Sequence, residues 1–374
     1  MQRRQFLRAA SALGLTPAAH AAPQYRVVTP YTKEGTMGMP GLYPASLVSV
    51  HAPKSFDPAA DKADPATVNA MLDRCMTALT GEKTPAGAWR RFFEPRDTVG
   101  IKLNCSGAPQ IMSHPSVVAA IVKNLVAVGV AAKNIWLYER FPDQVRTVGY
   151  PSWLPEEVNI LTAETSRGSI RNYDPRVYAE VNFFGEEDTR SCLVRLISER
   201  LTKIINVPNM KDHGASGVTG CLKNIAYGSF HNVARSHHDA KTNTLTFIGT
   251  LAAMEPLRSR TVLHVMDGLK GVLHGGPFAP VPRFRFFPRR MIVGTDPVAI
   301  DRVLLDVIEA KRKAEGAISV WDRDPRSLKR GRGFRDDPDS NNFIREPGHI
   351  EYASTLGLGT YDMAKIRMQD FRIE

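Results

Sequence analysis

Apolar runs that end in polar residues, each followed by a helical pattern, recur along this chain. That alternation limits its fold more than any other feature. "DTVGIKLN" (97–104) is a strand with a polar exit, "SHPSVVAAIVKNLVAVG" a helix from about Pro115 to Gly129, and "NIWLYER" (134–140) the next strand. Strand, helix and strand with short connections make a βαβ unit, whose strands are parallel. The pattern returns in "SLVSVHA", "EEVNILTA", "LTKIINVPN", "TVLHVMDGLKG" and "RMIVGTDPVAIDRVLLDVIEAKRK". In "DPATVNAMLDRCMTALTG", Asp64 caps a helix that Gly81 stops. The expected fold class is α/β: a mainly parallel sheet with helices on both faces, over residues 45–313. An N-terminal arm (22–44) precedes it, and a C-terminal extension with a basic loop (314–374) follows.

Open α/β sheets bind ligands beyond the carboxyl ends of their strands. Here Lys102, Asn104, Glu139, the stretch 206–213, Asp267 and Asp296 all follow strands, with the strand of "TVLHVMDGLKG" read as ending on Asp267. The richest segment is "NVPNMKDHGASGVTGCLKN" (206–224). Its glycines match neither a Walker loop nor GxGxxG. What remains is a Gly-rich turn entering a helix, which presents backbone N–H groups to an anion. Gly217, Gly220, Lys211, Lys223 and Asn224 form that expectation, and Lys102 and Asn104 join it from the neighbouring strand end. Three lysines gathered without an anion would repel one another. The bland alternative is that each lysine faces water and the glycines only permit a turn.

His213 sits in this segment as a loop residue, where neighbouring lysines would lower its pKa and make it a proton shuttle. Asp296 is read as a helix N-cap first and as a base or metal ligand second. Asp267 and Asp301 are the carboxylates that would hold a divalent metal, were one bound. His231, His237, His238 and Asp239 read as a polar loop, because their spacing is wrong for a helical metal pair. HExxH and GxSxG are absent. Cys75, Cys105, Cys192 and Cys221 form no CxxC, so no iron–sulfur motif is encoded. Cys105 and Cys221 both follow strand-end motifs and are a candidate disulfide.

"VGIKLN", "NVPNMKDHG", "TGCLKNIAYG", "DGLKGVLHGGP" and "GTDPVAIDRV", in this order, resemble the domain-of-unknown-function family 362, over roughly residues 45–310. The resemblance implies recurrent polar positions at Lys102, Asn104, Lys211, His213, Lys223, Asn224, Asp267, Asp296 and Asp301. Leu103 stands where the family often has Pro. Some members carry a fused ferredoxin module. This chain has none, so an iron–sulfur link would need a separate redox protein.

The N-terminus "MQRRQFLRAASALGLTPAAHAAP" resembles a twin-arginine export signal over residues 1–21, with Arg3 and Arg4 as the pair and Ala19 and Ala21 before the cleavage point. The expected address is periplasmic, with the twin-arginine translocase as partner during export and no membrane span after signal removal. A formal charge of +11 favours anionic partners. Nucleic acid is not expected at that address, and "FRFFPRR" (284–290) reads as a strand edge. The leading expectation is a protein that binds a small anionic molecule or a metal at the carboxyl edge, with proton-transfer chemistry on it. Lys211, His213 and Asp296 would be its catalytic groups. The rival is a non-catalytic periplasmic accessory for a metal, a cofactor or an iron–sulfur redox partner.

Overall fold

The computed structural model describes residues 23–166, 168–237, 243–329, 336–341 and 347–374. Residues 1–22, on which the expected export signal falls, His238, Asp239 and the middle of the basic loop lie outside them. The main sheet runs from edge to edge through Arg367–Arg372, Ser46–His51, Arg290–Gly294, Thr261–Val272, Lys203–Asn206, Val99–Lys102, Ile135–Glu139 and Asn159–Thr162. From Thr261–Val272 to Asn159–Thr162 every pairing is parallel. Arg290–Gly294 alone in this path runs antiparallel to both neighbours. The α/β reading therefore holds, with the antiparallel strand inside the sheet rather than at its edge.

Alternation along the strands builds two cores, because successive side chains leave a strand on opposite faces. Ile204, Met266 and Ile292 point to one core, and Ile205, Val265 and Met291 to the other. The first core is covered by the helices Gly220–Tyr227, Thr244–Ala252 and Pro297–Ala314. The second is covered by Pro65–Thr80 and Pro115–Ala127. Helix Pro65–Thr80 starts where expected: Asp64 accepts a hydrogen bond from the Thr67 N–H at 2.9 Å, and Gly81 ends the helix at φ 75°. No helix among the described residues is long and apolar enough to cross a membrane.

Two expectations about the rim need correction. Asn209–His213 is a strand, not a loop, and pairs in parallel with the far half of Thr261–Val272. That longer strand does not end at Asp267 but continues to Val272. Asp267 is tolerated in mid-strand because its carboxylate accepts the N–H of His114 at 2.7 Å and of Leu269 at 2.9 Å. A separate three-stranded antiparallel sheet joins Arg26–Val28, Tyr173–Glu180 and Arg190–Val194. The C-terminal extension supplies Arg367–Arg372, which lies parallel to Ser46–His51.

Candidate functional site

The parallel register brings three strand exits to one place. Asn206 stands beside Lys102, and Lys102 beside Tyr138, the residue before Glu139. Beyond that rim the chain returns as Asn209–His213 and then as helix Gly220–Tyr227, which lays Lys223 and Asn224 over the exits. The result is a cleft of about 160 Å³ whose wall includes Lys102, Asn104, Glu139, Arg140, Thr219, Lys223, Asn224, Tyr227 and His237.

A continuous hydrogen-bond chain orders the floor. The Lys211 ammonium donates to Asn104 Oδ1 at 2.6 Å and to Ser106 Oγ at 2.8 Å. Asn104 Nδ2 donates to Asn224 Oδ1 at 2.9 Å, and Asn224 Nδ2 to Asn206 Oδ1 at 2.7 Å. Asn206 Nδ2 then donates to the Cys221 carbonyl at 2.9 Å and to His264 Nδ1 at 3.0 Å. With a lysine at the head of the chain, each amide oxygen must accept and each NH₂ must donate onward, so the flips of the three amides are determined. Lys102 is neutralised differently: it pairs with Glu139 Oε2 at 2.9 Å and donates to the Leu103 carbonyl. Glu139 also accepts the N–H of Arg140 at 2.7 Å.

Lys223 has no such partner. It is 92% buried, and its Nζ lies 4.6 Å from the centre of the Tyr227 ring with no hydrogen bond among the described residues. Burial first, and then the charges of Lys211 and Arg140, pull its pKa down to about 7. Burial likewise brings Lys211 down to about 7, against the opposing pull of Glu139. Two further wall groups lack partners. The Thr219 hydroxyl and His237 Nε2 are buried and make no hydrogen bond among the described residues. His237 Nδ1 faces the Ala234 carbonyl at 3.3 Å, so Nδ1 carries the hydrogen and Nε2 is an acceptor. Burial and Lys223 push His237 down to about 3, so it is neutral at physiological pH.

The model of DUF362, a domain of unknown function, matches residues 99–306. The chain belongs to this family. Among curated proteins none matches it. The DUF362 match contains every wall residue named above. Ser46–His51 and helix Pro65–Thr80 precede it, and the edge strand Arg367–Arg372 follows it.

The cleft sorts the sequence-derived residues into three groups. Lys102, Asn104, Lys223 and Asn224 stand on the cleft wall, and Lys211 lies behind Asn104 and Ser106. His213 borders the cluster, its ring 5.1 Å from that of His237, but is not a wall residue. Its Nδ1 accepts the Ala215 N–H at 3.0 Å, and burial, with Lys223 next, drives its pKa well below the histidine range. The expected tuning toward a useful base overshoots, and His213 is too weak a base to hold a proton near neutrality.

The third group lies away from the cleft, with carboxylates already engaged. Asp296 caps helix Pro297–Ala314 through the Ala299 N–H at 2.8 Å, and accepts the N–H of Ala45 and of Thr360, each at 3.0 Å. Asp301 accepts the N–H groups of Cys221 and of Leu222, the latter at 2.9 Å. The start of helix Gly220–Tyr227 therefore already holds an anion, the chain's own, and the expected phosphate-type turn is closed. Gly220 is needed because a Cβ would occupy the space of the Asp301 carboxylate. Gly217, at φ 78°, packs on Pro347. Asp267 lies in mid-strand against the start of helix Pro115–Ala127, on the other face of the sheet. No group of three His, Cys, Asp or Glu side chains suited to a metal occurs among the described residues. Cys105 and Cys221 belong to the cores on opposite faces of the sheet, and both are free.

Sequence reading passed over Thr219 and Tyr227 as site residues and set His237 aside as part of a polar loop. No spacing rule marks them, because the fold brings them to the wall from a turn, a helix end and a separate loop. Gly228 was passed over too. A Cβ there would stand where Lys102 Cε lies, so glycine is what lets Lys102 reach Glu139.

Proposed function

We propose that this chain binds a small anion in the cleft and moves a proton on it, with Lys223 as the group that meets the ligand. One observation carries the reading: Lys223 is nine-tenths buried on the wall with no hydrogen-bond acceptor among the described residues. Burying an ammonium is costly unless it is paired, and an anion supplies the pair. Lys211 adds positive potential, and so does Arg140, in part offset by its pairing with Glu164 at 2.6 Å. The Glu139 carboxylate is engaged by Lys102, so it does not cancel the charge of Lys223. A lysine with a pKa of about 7 can give or take a proton at neutral pH, which an ordinary lysine cannot. A bare divalent metal would be repelled by the same lysines, and Asp267 and Asp301 already serve backbone amides.

The test is thermal unfolding of the full chain with phosphate, acetate and oxalate, slightly below neutral pH. At least one anion should raise Tm, by a few degrees once its concentration far exceeds Kd. Lys223→Met should abolish the rise. A flat response across all three anions counts against the reading. We place the protein in the periplasm, exported by the twin-arginine route, on the strength of Arg3 and Arg4. Arg3→Lys with Arg4→Lys should leave it in the cytoplasm, which cell fractionation reads directly.

A further inference from the structure

We propose that Lys223 forms an imine with the carbonyl carbon of a short-chain 2-oxo acid whose carboxylate is held by the cationic wall of the same cleft. This rests on the anion reading and names its ligand class. The geometry selects Lys223 among the three lysines. Lys102 is ion-paired with Glu139, and Lys211 is hydrogen-bonded to Asn104 and Ser106 behind the wall. Lys223 makes no hydrogen bond or ion pair among the described residues, and its nitrogen lies 4.6 Å from the centre of the Tyr227 ring. The space of about 160 Å³ is well below that of pockets for drug-sized ligands, so the ligand is small.

The other unpartnered groups suit the reaction. An attacking amine must be neutral, and desolvation beside other cations is how a lysine becomes so near neutral pH. The charged or titratable groups around Lys223 include Lys211, Arg140, His213, His237 and Tyr227, with the Lys102–Glu139 pair on the same wall and Glu164 behind Arg140. The two histidines stay neutral, so the positive charge comes from Lys211 and from Arg140, whose guanidinium also pairs with Glu164 at 2.6 Å. In the first step the nitrogen lone pair forms the C–N bond, and the C=O π pair moves to oxygen. That oxygen takes the proton lost by nitrogen, with the Thr219 hydroxyl on the wall to relay it. In the second step the nitrogen lone pair forms C=N while the C–O bond breaks. The oxygen leaves as water with a second proton from nitrogen, and His237 Nε2 is an acceptor placed to hold that water. The sum is amine plus oxo acid giving imine plus water, with no oxidant or reductant.

The experiment treats the full chain with glyoxylate or pyruvate and sodium cyanoborohydride near pH 7, where part of Lys223 is neutral and part of Lys211 still charged, then measures intact mass and maps the peptides. With pyruvate, one adduct heavier by pyruvic acid less one oxygen atom should appear on Lys223. Lys223→Arg, which keeps the charge, should give none there. In parallel, oxamate, which has the shape of pyruvate but an unreactive amide carbonyl, tests binding by thermal shift. Stabilisation by oxamate with no adduct from either oxo acid overturns the imine and leaves the anion reading standing. No stabilisation by oxamate or the oxo acids, and no adduct, overturns both. Adducts scattered over surface lysines, and equal in Lys223→Arg, overturn the imine.

Discussion

Gly228 and Lys102 share one small space, and the cleft wall depends on that. Adding a methyl group forces Lys102 out of its path to Glu139. Overpacking of this kind costs about 1–3 kcal/mol, so Gly228→Ala should lower the unfolding free energy by that amount, seen as a lower denaturant midpoint at unchanged slope. It should also weaken anion stabilisation, because a displaced Lys102 leaves Glu139 facing the ligand. Asp212 makes a different single-residue case. It pairs with Arg312 at 2.7 Å, both side chains being fully buried, and accepts the Gly276 N–H at 2.7 Å. Removing one partner of a buried pair costs about 3–5 kcal/mol. Asp212→Asn should therefore be among the most destabilising changes near the site, and urea unfolding reads it. His213, one residue on, should by contrast tolerate His213→Gln with little change in the pH profile of any turnover, because its pKa lies well below neutrality.

Among the elements, those with strong local signals were legible and those held by tertiary contacts were not. Val99–Lys102 and Lys203–Asn206 are short apolar runs with polar exits, and a parallel pairing of the two puts Lys102 and Asn206 at one rim, as the topology argument required. Asn209–His213 carries Asn, Lys, Asp and His, which no strand propensity favours. It is a strand only because Thr261–Val272 extends far enough to pair with it. The same extension moved Asp267 from the rim to mid-strand. Tyr173–Glu180 and Arg190–Val194 were missed because charges and a Gly-containing turn break their alternation. The Asp296 cap also has more to do than its sequence setting implied. It ties helix Pro297–Ala314 to Ala45 ahead of Ser46–His51 and to Thr360 ahead of Arg367–Arg372. Asp296→Ala should cost at least the upper end of an ordinary cap, about 2 kcal/mol. Amide hydrogen exchange should then speed up in the strand Arg367–Arg372 as well as at the helix start.

At the scale of the whole molecule, the buried lysines make ligand-free stability depend on pH with a definite sign. Lys223 titrates at about 7 in the folded protein, below the value near 10.5 of an unpaired lysine. The unfolded chain therefore binds more protons between those two values, and stability from this group falls as pH falls toward 7. Below about pH 7 the ammonium is charged in both states, and its burial opposes folding in full. Replacing it with a neutral side chain of similar length removes that opposition. Lys223→Met should therefore raise the urea midpoint of the ligand-free protein at about pH 6, with a gain that shrinks as pH rises through 9. The same variant should lose the response to anions, since a group that is costly when unpaired is the one a ligand rewards. A Lys223→Met protein less stable than the parent at both pH values would mean that the ammonium is already satisfied, and the cleft would then lose its claim to a ligand.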